Sequence, residues 1–255
     1  MKANQVRQVA DDVFYVRGTN VNWYLLRDGA ELTLVDAGYP GDAASVEASV
    51  RLIGRRPEDV RAILVTHAHV DHLGAVGRFH SRYGTPVYCD PIEVGHARRD
   101  YLEQVPVRTV VASAWRPGVL PWAVRAARSG GTSDVRVPQA RPFPTNSALD
   151  LPGHPVPVPT HGHTSGHTAF QLPSVGAVLT GDALVTGHPT ARRSGPQRLP
   201  AMFDHDRQRS WTALDQLAEL AGDLVLPGHG QPWPGSISDA VGVARTAEEP
   251  RPHTG

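Results

Sequence analysis

Residues 63–75 read ILVTHAHVDHLGA: an apolar, β-branched run leads straight into three histidines and an aspartate within six positions. No other feature constrains the fold as much, because loops at a strand's carboxyl end can turn several side chains onto one point. His67 and His69 stand at i and i+2, Asp71 at i+4 and His72 at i+5. A helix would scatter such a set around its circumference, so the run is predicted to be a loop leaving a strand at 61–66. Nitrogen and oxygen donors without thiolate suit Zn²⁺ and tolerate Fe²⁺ or Mn²⁺. Four ligands from one loop would leave a single tetrahedral ion no room for substrate. Sharing them between two ions removes that conflict and requires further ligands elsewhere.

Three later segments offer them. THGHTSGH (160–167) supplies His163, LTGDAL (179–184) supplies Asp182, and LPGHG (226–230) supplies His229. Each donor lies just past an apolar run, with glycine nearby to permit close backbone approach. The chain holds 13 histidines, so the others need weighing. His80, His96, His154, His188, His205 and His253 are isolated and are read as ordinary surface or core residues. His161 and His167 flank His163; their pattern fits polar support, exposed loop or substrate contact equally. Ser165 lies in HTSGH, not in a G-x-S-x-G elbow, and is read as structural.

The remaining chain reads as strands and helices in two similar halves. VFYV (13–16), WYLL (23–26), ELTLVD (31–36), RAILVT (61–66) and TPVYC (85–89) have strand character. AASVEASVRLIG (43–54) and GAVGRFHSRYG (74–84) have helical spacing and end in glycine. After 145, strands are predicted within 154–160, 168–173, 176–182 and 223–230, and a helix over 207–222. Between the halves, residues 101–145 mix Trp115, Trp122, prolines and glycines. They are expected to form a partly helical excursion ending in a loose connector. One domain spanning 1–255 is expected, with its tail frayed from about 235.

Composition narrows the chemistry. Formal charge is zero and no run of like charges appears, so nucleic-acid and membrane partners have no electrostatic support. The single cysteine, Cys89, excludes an intramolecular disulfide and a Cys-rich zinc knuckle, and it is read as a small core residue. Lys2 is the only lysine, which removes an internal Schiff base. No signal-peptide core or membrane span is visible, and a cytoplasmic location is expected. Oligomeric state is left open by the sequence.

In the order and rough spacing of HAHVDH, GHTSGH, TGDA and PGHG, the chain resembles the metallo-β-lactamase superfamily from about Val13 to Gly230. LVDAG (34–38) resembles that family's first aspartate motif. The resemblance implies an α/β (α+β) fold: a four-layer αββα sandwich of two mixed sheets with outer helices and metals at one edge. It further implies two Zn²⁺ ions. His67, His69 and His163 would hold one; Asp71, His72 and His229 would hold the other; Asp182 would bridge both. Asp36 would orient a ligand histidine from behind.

Two cations sharing a water lower its pKa from 15.7 to roughly 7, giving a hydroxide at neutral pH. The expected reaction is hydrolysis of a small-molecule ester, thioester or lactone, with Asp71 and Asp182 as the carboxylates that fix the site. The alternative is a persulfide dioxygenase-like oxidoreductase with one iron. A β-lactamase is disfavoured because Asp182 stands where those enzymes lack a bridging carboxylate. Hydroxyacylglutathione hydrolases have the full ligand set, but their substrate site depends on a helical C-terminal domain, and only 25 residues follow Gly230. Val119, Leu120, Trp115 and Trp122 are expected to wall a site for an apolar or aromatic acyl group.

Overall fold

The computed structural model describes residues 5–144 and 147–248. In chain order the first half contributes β1 (Val6–Ala10), β2 (Val13–Arg17), β3 (Asn22–Asp28), β4 (Glu31–Val35), α1 (Ala43–Leu52), β5 (Val60–Leu64), α2 (Val70–Leu73), α3 (Val76–Tyr83) and β6 (Val87–Cys89). The middle adds α4 (Glu93–Arg98), α5 (Val107–Ala112), α6 (Val119–Arg128) and β7 (Arg141–Pro142). The second half contains β8 (Val156–Pro159), β9 (Thr168–Leu172), β10 (Ala177–Gly181), α7 (Arg207–Ala218), β11 (Leu224–Pro227), β12 (Trp233–Pro234) and α8 (Ile237–Glu248).

Strands β1 to β7 lie side by side in one sheet, and the other sheet has the order β12-β11-β10-β9-β8. Both are mixed. The first runs antiparallel from β1 to β4 and parallel from β4 to β7; in the second, the β10–β11 pair is parallel. Alternation along β3 shows how the layers arise. Tyr24 and Leu26 face the second sheet, where Tyr15, Leu64, Phe170, Leu179 and Leu226 join them. Trp23 and Leu25 face outward and meet Val46, Val50 and Phe79 of α1 and α3. On the far side, Val178 and Val225 pack under Leu214 and Leu217 of α7 and Val241 and Ala244 of α8. Strands covered on both faces explain why WYLL and AILV are continuous apolar runs. This is the expected αββα sandwich.

Several expectations change. The HAHVDH run is not all loop: Asp71 and His72 ride on the single turn of α2, because residues 70–73 can close one helical turn once His69 has left the strand line. The tail expected to fray from about 235 is helical to Glu248. Ile237, Ala240, Val241 and Ala244 share one stripe and are buried against the second sheet, an apolar face the Arg- and Pro-rich remainder had obscured. Residues 249–255 lie outside the described part. The connector after α6 is anchored, with Val137 and Ala140 fully buried and Arg141–Pro142 paired to β6. Cys89 is buried in the core, where burial pushes its thiol pKa up. No helix among the described residues is long and apolar enough to cross a membrane.

Glu47 of α1 ties the outer helices together. It is buried and accepts hydrogen bonds from Arg78 Nε (2.7 Å) and the Tyr83 hydroxyl (2.9 Å). Burial alone would push its carboxyl pKa up, but the Arg78 and Tyr83 hydrogen bonds outweigh that and hold it below the ordinary range. A depressed folded-state pKa gives stability that is present above the unfolded value and lost as pH falls through the folded one. Glu47→Gln should therefore cost about 1 kcal/mol at pH 7 and almost nothing at a pH low enough to protonate the folded-state carboxyl. Urea unfolding at the two pH values tests this; an equal loss at both would contradict it.

Candidate metal centre

The ends of the strands bring the donors together. His67 and His69 follow β5, Asp71 and His72 sit on α2, His163 follows β8, Asp182 follows β10, and His229 follows β11. All are buried except Asp71, which is partly exposed. Three groups converge among the described residues: His67, His69 and His163; His67, His72 and Asp182; Asp71, His72 and His229. Within each, the donor atoms lie within 4.8 Å of one another.

Asp182 is the shared member. Its Oδ2 lies 3.1 Å from His229 Nε2, 3.5 Å from His163 Nε2 and 3.9 Å from His67 Nε2. Its Oδ1 lies 3.6 Å from His72 Nε2. Asp71 Oδ2 is 3.6 Å from His229 Nε2 and 4.0 Å from His72 Nε2. Gly228 makes room for this carboxylate: a Cβ there would lie 2.3 Å from Asp182 Oδ1.

The rear nitrogen of every histidine in the set meets an acceptor, and this settles the tautomers. His72 Nδ1 donates to Asp36 Oδ2 (2.8 Å), His163 Nδ1 to Asp204 Oδ1 (3.2 Å), His69 Nε2 to the Glu103 carbonyl (2.7 Å) and His229 Nδ1 to the Asn20 carbonyl (2.5 Å). Thr66 spends its hydroxyl proton on Asp36 Oδ2 (2.8 Å), so the 3.0 Å contact with His67 Nδ1 has the imidazole as donor. Five ring nitrogens consequently face inward as the positions open to a cation: Nε2 of His67, His72, His163 and His229, and Nδ1 of His69. Asp36 does this from a left-handed backbone (φ 61°), which turns its carboxylate toward both Thr66 and His72.

Inward lone pairs create a problem that a cation solves. His69 Nδ1 lies 3.0 Å from His67 Nε2 and 3.1 Å from His163 Nε2, and facing acceptors at that range repel unless positive charge lies among them. His72 Nε2 and Asp182 Oδ1 are buried without a hydrogen-bond partner. The donor set, five imidazoles and two carboxylates with no thiolate, fits borderline divalent ions.

Electrostatics agree with that fit. Burial, with the neighbouring imidazoles, holds His67 and His69 well below the ordinary histidine pKa, which leaves them neutral as ligands must be. Asp182 stays well below the carboxylate range because His229 and His72 outweigh its burial. His72 rises well above its ordinary value: burial opposes protonation, but Asp36, Asp182 and Asp71 prevail. Without a cation, the carboxylates hold a proton on this imidazole, and cation binding displaces it.

Several supporting residues carry no recognisable pattern in the sequence. Asp204 holds His163 and is itself anchored by Arg207 (2.6 Å). Glu93 is fully buried and accepts from Ala68 N, Thr164 Oγ1, Gly166 N and His96 Nδ1 at 2.7–2.9 Å. His96 Nε2 accepts from Glu103 N (3.2 Å), and Glu103 O receives His69. A relay thus runs from Glu93 through His96 and a peptide unit to His69. Its one sequence trace is the helical i, i+3 spacing of Glu93 and His96.

The ambiguous histidines separate. His167 is fully buried; its Nδ1 meets Thr160 Oγ1 and its Nε2 accepts from Asp182 N (2.9 Å), so it supports the loop. His161 is partly exposed, 3.3 Å from Asp90. Ser165 serves structure, donating to Glu103 (2.6 Å). His80, His96, His154 and His205 lie outside the three donor groups, and His188, read as ordinary from the sequence, lines the site cavity.

That cavity, about 250 Å³, opens onto His69, Asp71, His163, Asp182 and His229. Val105, Val110, Val111, Trp122, Leu199 and Phe203 supply much of its wall. The expected wall is corrected in part. Trp122 lines the cavity, whereas Trp115 (77 % exposed) and Val119 border a neighbouring groove and Leu120 points to solvent. The turn of α6 decides this: Trp122 and Ala126 are buried on its inner face, and Leu120 falls on the outer one.

Comparison with known proteins follows the same lines. Residues 16–229 match the family model described as "Metallo-beta-lactamase superfamily". "Probable metallo-hydrolase YflN" of Bacillus subtilis is 25% identical over 213 residues, covering 79% of this chain and 76% of that protein. "Hydroxyacylglutathione hydrolase" of Cupriavidus metallidurans is 30% identical over 203 residues, covering 78% of this chain but 59% of that protein. Among solved structures, a metallo-β-lactamase with a HARLDQ motif from Cronobacter sakazakii superposes with TM-score 0.68 at 17% identity, covering 95% of this chain and 92% of that one. A metallo-β-lactamase family protein from Thermus thermophilus gives 0.63 at 23% identity, covering 91% and 78%. With its sandwich fold, its ordered donor motifs and a family match over most of its length, this chain belongs to the metallo-β-lactamase superfamily.

Proposed function

We propose that the protein is a dinuclear, zinc-dependent hydrolase of an ester, thioester or lactone that is uncharged near its scissile bond and carries an apolar acyl group. The observation that carries this reading is the cavity: it opens on the donor cluster, its wall is mostly apolar, and no Arg or Lys lines it among the described residues. When bound, two such cations withdraw charge from a scissile carbonyl and ionise water near neutral pH. His67, His69 and His163 would hold one, Asp71, His72 and His229 the other, and Asp182, which faces both groups, would be shared between them. Their carboxylates offset part of the positive charge, and the valines and Trp122 seat the acyl group while excluding bulk water.

Support for a hydrolase also comes from the metallo-hydrolase and hydroxyacylglutathione hydrolase names of the relatives. The wall supports a substrate other than a glutathione thioester, whose carboxylates would meet no Arg or Lys among the described residues that line the cavity. Burying an unpaired carboxylate costs several kcal/mol. A neutral acyl thioester should therefore exceed the matched glutathione thioester by about 100-fold in kcat/KM. The test is metal quantification alongside kinetics on neutral and carboxylate-bearing thioesters and lactones. Preference for the anionic member would overturn the substrate class. One iron per chain with O₂ consumption on a persulfide would overturn the hydrolase.

A further inference from the structure

His188 sits among aromatic rings at the cavity's edge and has no part in the donor groups. Its ring lies 4.9 Å from that of His229, 5.3 Å from Phe203 and 5.7 Å from Trp122, centroid to centroid. Its Nδ1 accepts the backbone N–H of Thr190 at 3.2 Å and contacts Thr190 Oγ1 at 2.7 Å. A backbone amide can only donate, so Nδ1 bears the lone pair and the ring proton resides on Nε2. Among the described residues that Nε2–H has no hydrogen-bond partner, and on a half-buried ring that lines both the site cavity and the groove beside Asn20 and Arg125 it is open to solvent rather than sealed in the core. A donor that the fold leaves to water beside the metal-ligand cluster can pass to a ligand without breaking any hydrogen bond within the protein.

We propose that His188 is a catalytic residue whose Nε2–H hydrogen-bonds the leaving oxygen or sulfur of the substrate on the His229 side of the site. This rests on the hydrolase reading above. In the step, water oxygen bonds to the acyl carbon, the acyl–heteroatom bond breaks, and the departing anion takes its proton from water. His188 keeps its own proton and stabilises the negative charge that develops as the bond breaks. Thr190 acts as a positioning residue by holding the tautomer.

The prediction is a dependence on leaving group. With acyl esters that differ only in the alcohol, His188→Phe should lower kcat about 10- to 100-fold for an alkyl alcohol and under about 3-fold for a nitrophenol, because a good leaving group needs little help. His188→Gln, which keeps an N–H donor, should restore several-fold on the alkyl ester. Thr190→Val should reproduce the same trend more weakly with His188 in place. Long-range ¹⁵N–¹H correlation of metal-free protein should show His188 protonated at Nε2. Equal losses on every ester, no loss, or an Nδ1-protonated ring would each overturn the proposal. If the wild-type protein hydrolyses none of the esters, thioesters or lactones tested, the hydrolase reading fails instead, and the NMR result still decides the tautomer.

Discussion

Asp182→Ala is expected to release at least one cation per chain and to lower kcat by about 100-fold or more, since direct donors matter at least as much as the groups behind them. The reason is geometric. One carboxylate faces His67, His163 and His229 through Oδ2 and His72 through Oδ1, so its loss affects both halves of the donor set. It also leaves inward-pointing lone pairs with less negative charge to attract a cation. Metal analysis after dialysis, with turnover on a neutral ester, reads both effects. A variant that keeps two cations and full turnover would remove Asp182 from the bridging role.

Glu93→Ala should have the largest effect on stability. It would strand the Ala68 and Gly166 amides, the Thr164 hydroxyl and His96 Nδ1 in a buried space. Leaving several donors unsatisfied costs about 3–5 kcal/mol, a fall in melting temperature on the order of 10 °C for a chain of this size. Since the relay ends on His69, metal affinity should also fall by about 10- to 100-fold. Glu93→Gln, with one acceptor oxygen left, should fall between alanine and wild type in both. Thermal melts and chelator competition test the pair. An alanine variant that melts within about 2 °C of wild type and holds metal equally would show that Glu93 anchors nothing.

Much of the architecture was legible because it rests on local rules. WYLL, AILV and AVL are apolar on both faces because two layers cover them, and that leaves a continuous run in the chain. Trp211, Leu214 and Leu217 mark α7 by helical spacing alone. Short elements failed this test. The single turn of α2, the two-residue strands β7 and β12, and α4 carry too few residues to display a period, and α8 hid its stripe in a tail rich in arginine and proline.

The donors divide similarly. His67, His69, Asp71 and His72 are visible because they are crowded, and His163, Asp182 and His229 because each follows a strand beside glycine. Order along the chain therefore determined which side chains could meet and at which edge of the sheets. Their supports left no such mark: Asp204, Glu93, Glu103 and Thr190 are ordinary residues until the fold sets each against one atom of a particular partner. Which nitrogen of each imidazole faces inward, which tryptophan walls the cavity, and that His188 stands at the site were settled only in three dimensions. Hydrogen bonds act over about 3 Å, here between atoms as close as two residues in sequence (Thr190 and His188) and as far apart as 41 (Asp204 and His163), and no sequence pattern encodes that distance.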